Sequence, residues 1–123
     1  LTHRRIAQVV PDLLFATRIN GAGAALSIRV ESLTAGAAPD ALRAGGFDLL
    51  IVDLTGTSDP IGMIRSLKRD PEAARVPIVA FYPHVEAALA REAREAGADQ
   101  VMPRSAFVTL LPKLLSGEAR SAP

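Results

Sequence analysis

Asp53 closes a continuous apolar run, residues 49–52, and is followed by the polar stretch Thr55-Gly56-Thr57-Ser58 after Leu54. A carboxylate at the end of a buried strand stands where ligands gather in open parallel sheets, or it only anchors the turn that follows it. Asp12 stands in the same relation to an earlier run, residues 6–10, with Pro11 between. It reads as a helix cap or a first-turn acid. A third run ends in Tyr82-Pro83-His84. The imidazole there could sense pH, contact an anion or ligate a metal, or be an ordinary surface-loop histidine. Tyr82 reads as core packing or as a partner contact. Arg104 and Ser105 follow the last short run. The guanidinium could grip an anion bidentately or pair with Asp53, while Ser105 reads as a helix cap with a secondary part in an anion nest.

These residues meet only if the apolar runs lie side by side. Residues 49–52 and 76–82 are short, apolar and rich in β-branched side chains, the pattern of strands buried on both faces. Residues 27–33 instead alternate, Ile28 and Val30 against Arg29 and Glu31, which predicts a half-exposed edge strand. Residues 100–102 form a short last strand.

Between the strands, Phe15, Ile19, Ala22 and Leu26 share one helical face. Gly21 and Gly23 weaken that helix by roughly 1 kcal/mol each, with close packing on the sheet as the expected return. Residues 40–44 make a short helix closed by Gly45-Gly46, and Ser58-Asp59-Pro60 starts another, striped by Ile61, Ile64 and Leu67. Residues 85–96 predict a helix on Val85, Ala88, Leu89, Ala93 and Ala96, ended by Gly97. Phe107, Leu110, Leu111, Leu114 and Leu115 mark the last helix, interrupted by Pro112. One domain over residues 1–116 and a frayed tail over 117–123 follow. Strand–helix alternation repeated five times predicts an α/β fold, a doubly wound parallel five-stranded sheet of order 2-1-3-4-5, the flavodoxin-like (βα)5 arrangement.

Composition narrows the function classes. The 123 residues suffice for one domain with a core. Fourteen basic side chains balance 13 acidic ones, a net charge of +1, which argues for neither a nucleic-acid nor a membrane partner. There is no helix-turn-helix segment and no basic face. Cysteine is absent, so disulfides, thiol catalysis and thiolate metal sites are excluded. No apolar run approaches a membrane span, and the first residues lead into a strand rather than a signal sequence, so a cytoplasmic location is expected. The chain opens on Leu1, which is compatible with a piece of a longer protein.

Residues 47–53, Asp70-Pro71 through Val76-Pro77-Ile78-Val79, and Ala96-Gly97-Ala98-Asp99 resemble the receiver domains of two-component response regulators, over about residues 6–115. The resemblance implies a phosphoacceptor at Asp53 and a Mg²⁺ ion held after the first strand, where Asp12 matches the second of the family's two acids. It also implies a Thr or Ser after the fourth strand and a Lys after the fifth. Three positions depart from that pattern: Pro11 replaces the first acid, Tyr82 the Thr or Ser, and Arg104-Ser105 the Lys-Pro pair. No Ser or Thr occurs between Ser66 and Ser105, and the only lysines are Lys68 and Lys113.

Phosphoryl transfer depends on positioned cations and donors, so these losses predict a degenerate, pseudo-receiver switch. Asp12 and Asp53 could still hold Mg²⁺ weakly. Tyr82 places its hydroxyl too far out to replace a short one, and Arg104 keeps the charge as a planar fork. A cis bond before Ser105 would cost roughly 2.5–4 kcal/mol, so a trans peptide is expected there.

The leading expectation is a stand-alone, non-enzymatic signalling module acting through protein contacts, with phosphorylation absent or atypical. The partner implied by the resemblance is a histidine kinase or a downstream effector, with a homodimer through residues 85–115 as a further option. A second reading keeps Asp53 as phosphoacceptor, Arg104 replacing lysine and self-phosphorylation weak. A third is a small-molecule-binding flavodoxin-like domain using residues 55–58, although no phosphate-binding glycine motif follows the first strand.

Overall fold

The computed structural model describes residues 4–83 and 85–118. Five strands, β1 (Arg5–Val9), β2 (Arg29–Ser32), β3 (Leu49–Asp53), β4 (Ile78–Tyr82) and β5 (Gln100–Pro103), alternate with five helices. These are α1 (Leu13–Ala25), α2 (Ala38–Arg43), α3 (Pro60–Arg69), α4 (Ala87–Ala96) and α5 (Arg104–Ser116), with a single 3₁₀ turn at Ala73–Arg75. The sheet is all parallel in the order β2-β1-β3-β4-β5, as the alternation predicts. β2 and β5 are its edges.

Side chains alternate across the sheet. Leu49 and Ile51 of β3, Val79 and Phe81 of β4, and Ile6 of β1 pack against α1 and α5 through Phe15, Ile19, Phe107, Leu111 and Leu115. Leu50, Val52, Ile78, Ala80 and Ala7 face the other way, onto Leu42, Ile64, Leu67 and Ala93 of α2, α3 and α4. Both faces are covered, which is why β3 reads as an unbroken apolar run. The alternation also aims Asp53 toward α1 and α5, in register with Phe81 of β4.

Helix starts follow local chemistry. Asp12 caps α1 by accepting from the Phe15 amide, and Asp59 caps α3 by accepting from the Gly62 amide, with Pro60 in the first turn. Gly23 repays its flexibility as expected: a Cβ there would lie 2.7 Å from Val30 and 2.9 Å from the Ile28 carbonyl, so α1 closes onto β2. Gly21 meets nothing within 4 Å, so close packing does not explain it.

Three sequence expectations need correction. α4 begins at Ala87 and buries Ala90, Ala93 and Ala96, whereas Val85 is 94% exposed and Ala88 also faces solvent. In an alanine-rich segment the apolar stripe has little contrast, and Val85 drew the register off by its size alone. Pro112 does not interrupt α5, which runs through it; the position is exposed, so the carbonyl one turn back can meet water. Ser105 does not cap α5: the cap position is held by Pro103, two residues earlier, and the Ser105 carbonyl accepts from the Thr109 hydroxyl. Among the described residues no peptide is cis, in keeping with the trans bond expected before Ser105.

Candidate functional site

The carboxyl ends of β1, β3 and β4 and the start of α5 bring Asp53 and Arg104 together. Asp53 is only 2% exposed. Its Oδ1 accepts from the Thr55 amide at 3.0 Å, the Thr55 hydroxyl at 3.0 Å and the Gly56 amide at 3.2 Å. This is the loop-anchoring arrangement, and it fills one oxygen of the carboxylate. Oδ2 faces Arg104, whose Nη2 lies 3.9 Å away, an ion pair without a hydrogen bond. A Cβ on Gly56 would stand 3.1 Å from this Oδ2 and 3.6 Å from the Pro11 ring, so a side chain there would push the carboxylate aside by a few tenths of an ångström.

Arg104 is held by aromatic rings rather than by acceptors. Its guanidinium lies 4.5 Å from the centroid of Phe15 and 5.6 Å from that of Phe81. Phe15, Phe81 and Phe107 themselves pack ring on ring, with Phe81 and Phe107 stacked at 4.6 Å. Arg104 Nε is buried and has no acceptor, while the side chain as a whole is 32% exposed. A planar, weakly hydrated cation suits such a platform better than an ammonium does. Sequence reasoning missed Phe15 and Phe81 as partners of Arg104. The available signal was scarcity: the chain has four phenylalanines, and three of them converge here.

The other candidates are distributed differently. Asp12 borders the same end of the sheet but spends Oδ1 on the Phe15 amide at 3.1 Å. Tyr82, 9% exposed, packs with the α2–α3–α4 side, on the face opposite Asp53, and so is core packing rather than a crevice residue. Ser105 sits in the first turn of α5, next to Arg104. His84 lies outside the described residues. Thr57, also buried, donates to the Val9 carbonyl at 3.4 Å and ties the β3–α3 loop to β1. Beside this loop, Val9, Pro11, Leu33, Ala35 and Thr57 help line a mostly apolar cavity of about 270 Å³.

The described residues around Asp53 are poorly set to hold a divalent ion. Pro11 has no donor, Asp12 and Asp53 each keep one free oxygen, and that of Asp53 already faces a fixed cation. Among the described residues, no group of three or more His, Asp or Glu converges to hold a metal.

No protein-family model matches the chain, and no curated protein matches it. Solved structures do. A phosphorylated cyanobacterial phytochrome response regulator superposes with a TM-score of 0.77 at 20% identity, covering 94% of this chain and 91% of that one. The receiver domain of a sensor histidine kinase from Pseudomonas aeruginosa, solved with a magnesium ion coordinated in its active-site cleft, gives 0.76 at 18% identity, covering 94% and 99%. A chemotaxis response regulator of Vibrio cholerae gives 0.80 at 14% identity, covering 96% and 100%. The flavodoxin-like fold of this chain is thus the fold of response-regulator receiver domains.

Proposed function

We propose that this chain is a receiver-like signalling module that acts through protein contacts, with phosphorylation of Asp53 absent or atypical. The observation that carries this reading is the state of Asp53: buried at 2% exposure, one oxygen saturated by three donors and the other opposite Arg104. A phosphoacceptor needs an open carboxylate oxygen and mobile cationic help for the incoming group. Here the oxygen is enclosed and the cation is stacked on Phe15. Pro11 and Tyr82 add neither an acid nor a short hydroxyl. The module is non-enzymatic in this reading, and its partner is a histidine kinase or a downstream effector.

The surface formed by α4, β5 and α5, about residues 85–115, is the proposed contact or homodimer face. It carries Arg91, Glu92 and Glu95 at solvent-exposed positions, and charges of both signs suit orientation of a partner. Among the described residues no helix is long and apolar enough to cross a membrane, and a cytoplasmic place is proposed with the function.

A second reading retains phosphorylation. It draws on the same 3.9 Å separation, because Arg104 is already close enough to Oδ2 to neutralise an arriving phosphoryl group. Intact-mass analysis after incubation with Mg²⁺ and acetyl phosphate separates the two. In the transfer, Asp53 Oδ2 would attack phosphorus and acetate would leave. No adduct on the folded parent supports the leading reading. An adduct that is lost in Asp53→Asn replaces it with the second.

A further inference from the structure

We propose that Arg104 is the resident counter-cation of Asp53, a tethered guanidinium that balances the crevice and keeps divalent metal out of it. The inference deepens the receiver reading and rests on it for the choice of ligand, a hard divalent ion. Its support lies in the side chains themselves.

Charge comes first. Asp53 is a buried carboxylate with one unsaturated oxygen, and among the described residues a single cation, Arg104, faces that oxygen at 3.9 Å. A divalent ion bound to Oδ2 would stand beside that guanidinium with two carboxylates at most to offset both, and the second, Asp12, already caps α1. Pro11 supplies no third oxygen from its side chain.

Fixation comes second. A cation that could swing away would yield to the metal. Arg104 cannot do so without leaving two aromatic faces, at 4.5 and 5.6 Å, and dragging a buried Nε with it. It is also the first residue of α5, so backbone as well as side chain holds it over the crevice. Phe15 joins the two halves of the device: its amide occupies Asp12, and its ring carries Arg104. One residue thereby engages one oxygen of the second carboxylate and positions the substitute cation.

The test uses Mn²⁺ as probe and the amides of Thr55 and Gly56, which donate to Asp53, as reporters in ¹⁵N-resolved spectra. At millimolar Mn²⁺ the parent shows no saturable paramagnetic broadening at these amides. Arg104→Met, which keeps an aliphatic stem on Phe15, and Arg104→Gln both remove the charge. Either neutral variant gains a Mn²⁺ site at least ~10-fold tighter than any binding by the parent, and adding Asp53→Asn abolishes the gain. The proposal is overturned if the parent binds Mn²⁺ at these amides as tightly as the neutral variants. It is equally overturned if no folded neutral variant gains a site. Phosphoryl uptake at Asp53 that persists with divalent metal removed would end the phosphate-independent reading and leave this one standing, whereas a parent Mn²⁺ site without uptake would end this one alone, so the two fail separately.

Discussion

The molecule uses arginine, phenylalanine and a carboxylate twice, once at each end of the sheet, and the two uses differ. At the amino end, Arg5 of β1 lies 4.2 Å over Phe47 and donates to Glu31 through Nε at 2.5 Å and Nη2 at 3.3 Å. The pair is half exposed, and it is complete: the hydrogen bond with Glu31 raises Arg5 above its ordinary range and holds the Glu31 carboxyl below its own. At the carboxyl end, Arg104 lies over Phe15 with a deeply buried acid beside it, yet it makes no hydrogen bond to Asp53 and leaves Nε without an acceptor. The first arrangement staples β1 to β2. The second keeps unused bonding capacity next to a buried charge, which stability alone does not call for. Completeness, rather than composition, separates a structural ion pair from a functional candidate.

The contrast can be broken most forcefully at its aromatic supports. Phe81→Ala, at a fully buried ring stacked on Phe107, is expected to cost about 3–5 kcal/mol in denaturant unfolding. Phe47→Ala should cost less, because Phe47 keeps some exposure and has no ring neighbour in that trio. Equal losses would mean that the two supports are equivalent. Next, Asp53→Ala strands the Thr55 and Gly56 donors and the buried part of Arg104, with an expected loss of about 2–4 kcal/mol by the same measurement. Arg5→Met should lower the thermal midpoint less than either of these, and the loss should shrink further in high salt, as a partly exposed pair requires.

The smallest effect has a distinctive pH dependence. Glu31 has a depressed carboxyl value in the folded state, chiefly through the Arg5 hydrogen bond. Such a group stabilises above its unfolded value and loses that contribution as pH falls through the folded one. The difference in thermal midpoint between the parent and Glu31→Gln is therefore greatest at neutral pH and closes below about pH 4. A gap that widened on acidification would contradict the assignment.

Much of this architecture was legible in the chain because burial on both faces writes itself as an apolar run. Leu49 to Val52 announce a central strand, with Asp53 at its carboxyl end as the candidate site. Arg29 and Glu31 announced an edge by interrupting that pattern. What stayed hidden depended on contacts between distant segments. Nothing around Phe15 signals that it will lie under Arg104, and nothing in Tyr82 says that strand alternation turns it away from Asp53. The α4 register was obscure for a different reason: alanines at Ala88 and Ala90 weigh the same in a pattern but occupy opposite environments.

The two margins of the sheet bear on how this protein behaves when concentrated. β2 offers a short, charged border whose Glu31 is already engaged by Arg5, and β5 ends on Pro103, which has no amide hydrogen to give. A strand from another copy seeking to extend the sheet would meet competing charge on one side and a missing donor on the other. Fibre growth by edge addition is thus discouraged at both borders, and crowding should drive any self-association toward helical surfaces instead.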